Sequence, residues 1–169
     1  GPDEAARHYE LALELATDFE PASEEALAGA RQRAVALVER ELDGEPNMLT
    51  MRELAPAGDA EDAPLLTVTD GAETARYRVV AAHFEDATTF FPMLGELEVW
   101  QLINLTGDTH PIHLHLDPFQ IVTRRPIRYE IPDGGIRERE LAATVTLERG
   151  PDDELDHRID DNERGLKDT

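Results

Sequence analysis

Three of the chain's six histidines fall together in His110-Pro111-Ile112-His113-Leu114-His115. Neutral imidazole offers a lone pair to a metal near physiological pH, so the stretch reads as a ligating segment. If residues 112–116 are extended, side chains alternate between faces. His113 and His115 then point the same way, while Ile112, Leu114 and Leu116 point into a core. His110 is different. The ring of Pro111 steers it away from helical backbone, and Gly107-Asp108 just upstream reads as a turn, so it belongs to a loop and faces another point. The competing reading makes all three ordinary core or surface histidines. The third imidazole weighs against that, as does the lack of a low-complexity or tag-like tract to account for the cluster.

The elements that must hold this segment read mostly as strands. Residues 48–54, 65–69 and 75–82 are short β-type runs, separated by Pro56-Ala57-Gly58-Asp59 and by Asp70-Gly71, the latter a hairpin turn. Residues 127–131, a Pro132-Asp133-Gly134-Gly135 turn and an alternating run over 141–147 continue the pattern, which favours a sandwich or barrel. The N-terminal stretch 5–19 is ambiguous, its alternation favouring strand narrowly over the helix preference of its Leu, Ala and Glu. Next, Ser23 is placed to cap a helix. The stripe Leu27, Ala30, Ala34, Leu37, Val38 and Leu42, ended by Gly44 and Pro46, predicts that it continues through residue 42. His8 has no ligand-spaced neighbour, and His83 reads as structural. The acidic cluster over 152–161, which includes His157, lacks the glycine and bidentate glutamate of an EF-hand loop and reads as a solvated loop.

A length of 169 residues suits one domain. Acidic residues number 37 against 16 basic ones, for a net charge of −21, and this opposes a nucleic-acid or anionic-membrane partner. Lys167 is the only lysine. Such acidity with arginine in place of lysine suits a high-GC or salt-adapted source. The absence of cysteine excludes disulfides and thiolate metal sites within the chain. The sequence contains neither a signal peptide nor an apolar run of membrane-spanning length. It opens on Gly1-Pro2, as a processed or cut-out segment would.

Around the histidines the order is Gly95…Glu98-x-Trp100-x-x-x-Asn104-x-Thr106…His110-Pro111-x-His113-x-His115-Leu116…Phe119…Arg124-Arg125-Pro126. It resembles the last cupredoxin domain of multicopper oxidases, in the branch of the spore-coat laccase, bilirubin oxidase and phenoxazinone synthase. The likeness is sharpest over 85–126 and weaker over 46–169; Arg164-Gly165-Leu166-Lys167-Asp168-Thr169 is similar to a stretch beyond the acidic loop there. The resemblance implies a mainly β, cupredoxin-like Greek-key sandwich with an N-terminal helical segment, lacking its last strands and so left with an open edge. Residues 1–45 form a strand/helix segment or interdomain linker, and 46–169 a partial C-terminal cupredoxin domain.

The resemblance further implies copper ligation: type 1 copper through His110, type 2 through His113 and type 3 through His115. Trp100 and Asn104 fall to packing and loop positioning. The implied activity is one-electron oxidation of phenolic, aminophenolic or bilirubin-like donors coupled to reduction of dioxygen to water. The implied partners are that donor, dioxygen and the other cupredoxin domains, in an extracellular or cell-surface setting. The family completes its sites with a His-Cys-His segment, an axial methionine and two further His-x-His pairs, none of which is present here, so the chain alone is expected to be inactive. A cupin-like mononuclear metal protein is the alternative, since Gly107, His113 and His115 fit that motif's opening, but Phe119 or Gln120 stands where its glutamate belongs. A metal-free structural β-domain is the third reading.

Overall fold

The computed structural model describes residues 7–14, 23–42, 45–58, 63–87, 89–115, 118–149 and 166–167. Among these described residues, nine strands and one short helix make up the regular structure. The N-terminal run is indeed a strand, β1 (Arg7–Glu14). Ser23 caps the helix α1 as expected, its side chain accepting from the Ala26 amide, but α1 spans only Glu24–Gly29.

The expectation of helix through residue 42 is therefore corrected, because β2 occupies Arg31–Leu42. The apolar spacing that mimicked a helical stripe arises because β2 is buried on both faces from Ala34 to Val38. Ala34, Ala36 and Val38 enter one apolar cluster while Val35 enters another, so no period-2 signal survives. Gly29 weakens the helix at its end, and the branched Val35 and Val38 suit a pleated strand.

Strands β3 (Glu45–Pro56), β4 (Leu66–Asp70) and β5 (Glu73–Ala81) follow, with Gly71 at φ 60° turning the β4–β5 hairpin where Asp70-Gly71 predicted it. Then come β6 (Leu97–Leu105), β7 (Phe119–Glu130), β8 (Ala143–Leu147) and β9 (Leu166–Lys167). The sheet order is β1-β6-β2-β3-β5-β4-β8-β7-β9, and β1 also pairs with β7. That second pairing brings the sheet back toward its first strand and nearly closes it; unpaired edges remain at β9, which pairs only with β7, and over residues 45–52 of β3, which pair only with β2. β1 is antiparallel to both neighbours, Leu11 lying opposite Trp100 of β6 and opposite Ile121 of β7. β2 runs parallel to β6, with Val35 beside Leu102.

The fold is mainly β and cupredoxin-like, with sequence-distant strands as neighbours. Its main core gathers Ala36, Val38, Leu66, Ile103, Leu141 and Val145. A second cluster on the opposite face holds Val35, Leu102 and Phe119, with Phe90, Trp100, Ile112, Leu114 and Ile121 packed on it. Residues 152–161 and His157 lie outside the described residues.

Candidate metal-ligating segment

The histidine segment hangs between the ends of β6 and β7. Leu116 lies outside the described residues, and residues 111–115 belong to no strand, so the strand considered from 112 onward does not form over 112–115. The alternation holds without it. Ile112 and Leu114 pack onto the second apolar cluster, and His113 and His115 are exposed. Their rings meet edge to face with centroids 4.7 Å apart at 82°. Packing of the two apolar residues against Val35, Leu102 and Phe119 takes over the orienting role that ladder hydrogen bonds would have played.

His110 is half-buried. Its Nε2 lies 2.6 Å from Thr106 Oγ1. Thr106 is held in turn by Asn104, whose Oδ1 accepts from the Thr106 amide at 3.1 Å and from its hydroxyl at 2.8 Å. The Asn104 Nδ2 donates to the Asp108 carbonyl at 2.8 Å, closing the turn that launches the segment. Asn104 thus has the loop-positioning role expected of it. The contact from Thr106 to His110 was not anticipated, although Asn-x-Thr before a Gly-Asp turn is a combination whose side chains bond to nearby backbone.

Trp100 packs as expected and donates through Nε1 to Glu98 Oε2 at 2.9 Å. Glu98 is buried, with only 1% of its surface exposed, and forms an ion pair with Arg33 at 3.0 Å. Arg33 also lies over the Phe90 ring at 4.8 Å. These side chains join the start of β2 to β6 beneath the histidine segment.

His83 is 3.7 Å from the Glu138 carboxylate, and His8 stands in β1 opposite Ile103. Gln120, at the position a cupin would fill with glutamate, is in β7 opposite Ala12 and Leu166. Among the described residues no three His, Cys, Asp or Glu side chains converge as a metal cage. The donor set fits copper in part, since the two exposed imidazoles at contact distance are ligands that suit copper.

The carboxyls held well below the ordinary range belong to structural ion pairs elsewhere. Asp70 is lowered to about 2 chiefly by its hydrogen bond from Arg125, against opposing burial and with help from Arg149. Asp86 is lowered to about 2 by the Ala82 amide first, then by Arg139 and the His83 amide.

A mainly β, cupredoxin-like fold carrying a His-Pro-x-His-x-His loop defines the class, a cupredoxin-type domain of copper oxidases. The chain belongs to the multicopper oxidase family, whose family model matches residues 59–150, more than half of it. It is 48% identical over 48 residues to a laccase of Bacillus stratosphericus, covering 28% of this chain and 9% of that protein. A laccase of Haloferax volcanii is 39% identical over 80 residues, covering 47% of this chain and 11% of that protein. A multicopper oxidase of Oryza sativa is 55% identical over 38 residues, 22% of this chain and 6% of its own length. The chain thus matches about a tenth or less of the length of these curated relatives. No solved structure matches it.

Proposed function

We propose that the chain is part of a laccase-like multicopper oxidase that couples one-electron oxidation of phenolic, aminophenolic or bilirubin-like donors to reduction of dioxygen to water. In this reading His110 ligates type 1 copper, His113 type 2 and His115 type 3. Residues 46–169 are part of the C-terminal cupredoxin domain, and the strands β1 and β2 from residues 1–45 belong to its sheet instead of forming a separate linker. Bound copper supplies the one-electron redox couple that no side chain of this protein provides. The chain's own part is to present three imidazoles in two directions, one from a hydrogen-bonded turn and two from an apolar anchor. The thiolate and the other ligands come from outside this sequence, in the rest of the oxidase.

The observation that carries the reading is the pair His113 and His115, exposed and in ring contact, with half-buried Ile112 and Leu114 packed inward beside them. The apolar members of the alternation pack inward, whereas the two exposed imidazoles have no packing role of their own. The test is intact mass, metal content and visible absorption of the natural full-length product after copper loading. A product heavier than this chain, with more than one copper and a blue band, is expected, and His113→Ala or His115→Ala should lose copper while keeping the far-UV signature of strand. A colourless product of this length holding one non-copper metal would point to the cupin-like alternative, and one holding none to the metal-free β-domain.

A further inference from the structure

We propose that Asn104 and Thr106 are positioning residues that fix which nitrogen of His110 carries the proton, leaving Nδ1 as the nitrogen offered to a metal. The relevance to a metal rests on the copper reading; the hydrogen-bond relay itself does not.

The relay follows from donor and acceptor counting. The Asn104 amide has one orientation compatible with its neighbours. Its Oδ1 faces the Thr106 amide N–H, which can only donate, and its Nδ2 faces the Asp108 carbonyl, which can only accept. With Oδ1 so placed, it accepts the single hydroxyl hydrogen of Thr106 at 2.8 Å. The other acceptor near that hydroxyl is the Asp108 carbonyl at 3.2 Å, which also can only accept. On either course the hydrogen points away from His110. One lone pair of the Thr106 oxygen accepts from the Asp108 amide at 3.3 Å, which leaves the other to turn toward the imidazole 2.6 Å away, so Nε2 must be the donor. A neutral imidazole protonated at Nε2 has its lone pair at Nδ1.

Asn104 and Thr106 are 2% and 3% exposed, so water does not compete readily for these groups. Ligating histidines characteristically donate their other ring nitrogen to an oxygen acceptor, which sets both tautomer and ring orientation. Here that acceptor is supplied four residues upstream, across the turn, before any metal arrives. His113 and His115 are exposed and in contact with each other, and so serve as internal references.

The test uses the full chain, labelled with 15N and free of metal, at about pH 8.5, where an ordinary imidazole is neutral. Ring nitrogen shifts report the tautomer, and exchange of the ring N–H with solvent reports its protection. The expected wild-type result is a single Nε2–H tautomer at His110, with ring N–H exchange slower than at His113 and His115. Thr106→Val should speed that exchange about tenfold or more, the effect of losing one buried hydrogen bond, while Thr106→Ser stays near wild type. A wild-type His110 protonated at Nδ1, or exchange unchanged in Thr106→Val, overturns the proposal. If Thr106→Val does not fold, the wild-type tautomer and its protection still decide.

Cu(II) added to the same sample tests the copper reading separately. Broadening of the His110, His113 and His115 ring signals is expected. Signals that stay sharp, with the tautomer as stated, overturn the copper ligands and leave the relay standing.

Discussion

Asp70 shows how much one side chain tethers. It accepts from Arg125 at 2.6 Å and 3.0 Å and from Arg149 at 2.8 Å and 3.1 Å, joining the β4–β5 turn to β7 and to the end of the β8 segment. Its folded pKa is about 2 against an ordinary 3.8. A carboxyl depressed by folding contributes stability that is fully present above its unfolded pKa and is lost as pH falls through the folded value. The contribution should therefore disappear between about pH 4 and pH 2. With about a third of the side chain in water, roughly 1–2 kcal/mol is expected. Asp70→Asn should cost about that at pH 7 and flatten the acid limb, as read from urea midpoints across pH; an unchanged limb would refute the assignment. At this scale the sequence was informative where chemistry is local. The alternation of Ile112, His113, Leu114 and His115 could be read directly. The Thr106 contact could not, because it depends on how the Gly107-Asp108 turn folds back on β6.

Among the elements, β2 and the loop after β7 carry the clearest consequences. The misreading of residues 31–42 as helix has a physical cause: a strand covered on both faces loses the alternation that identifies strands, and its Ala and Leu content imitates a helix. Exposed hairpins such as β4–β5 keep both signals, the alternation and the Asp70-Gly71 turn, and were legible. The loop between β7 and β8 hangs on Arg52, almost wholly buried in β3, which donates to the Glu140 and Arg137 carbonyls at 2.6 Å each. Burial, more than the nearby Arg40 charge, lowers the pKa of this guanidinium, which pairing with carbonyls alone does not offset. Arg52→Met should leave those carbonyls under-satisfied, costing about 1–3 kcal/mol and raising amide exchange over 136–141 relative to the rest of the sheet. The turn itself leaves no room for a side chain at Gly135, since a Cβ would stand 2.6 Å from the Ala142 carbonyl and 2.9 Å from that of Pro132. Gly135→Ala should therefore lower the denaturant midpoint by an amount equivalent to about 1–3 kcal/mol, whereas Gly58→Ala, with open space around it, should cost little.

For the whole molecule, charge and closure matter most. A net charge of −21 on 169 residues makes the compact state repel itself, and exposed pairs such as Arg128 with Glu148 offset little of this. Screening should relieve the repulsion, so the thermal midpoint is expected to rise from low salt to molar potassium chloride. A fall, or loss of the far-UV signal in molar salt, would count against a brine-suited surface. Closure has a consequence in time. β1 seals the sheet by pairing with β6 and β7, yet it is synthesised long before residues 97–105 and 119–126 exist. The first strand made is the last that can be stitched in, so the nascent chain must keep an unpaired strand waiting while its partners are built. Refolding should show the same delay as a slow final phase in which amides of residues 7–14 become protected after those of β2 and β3.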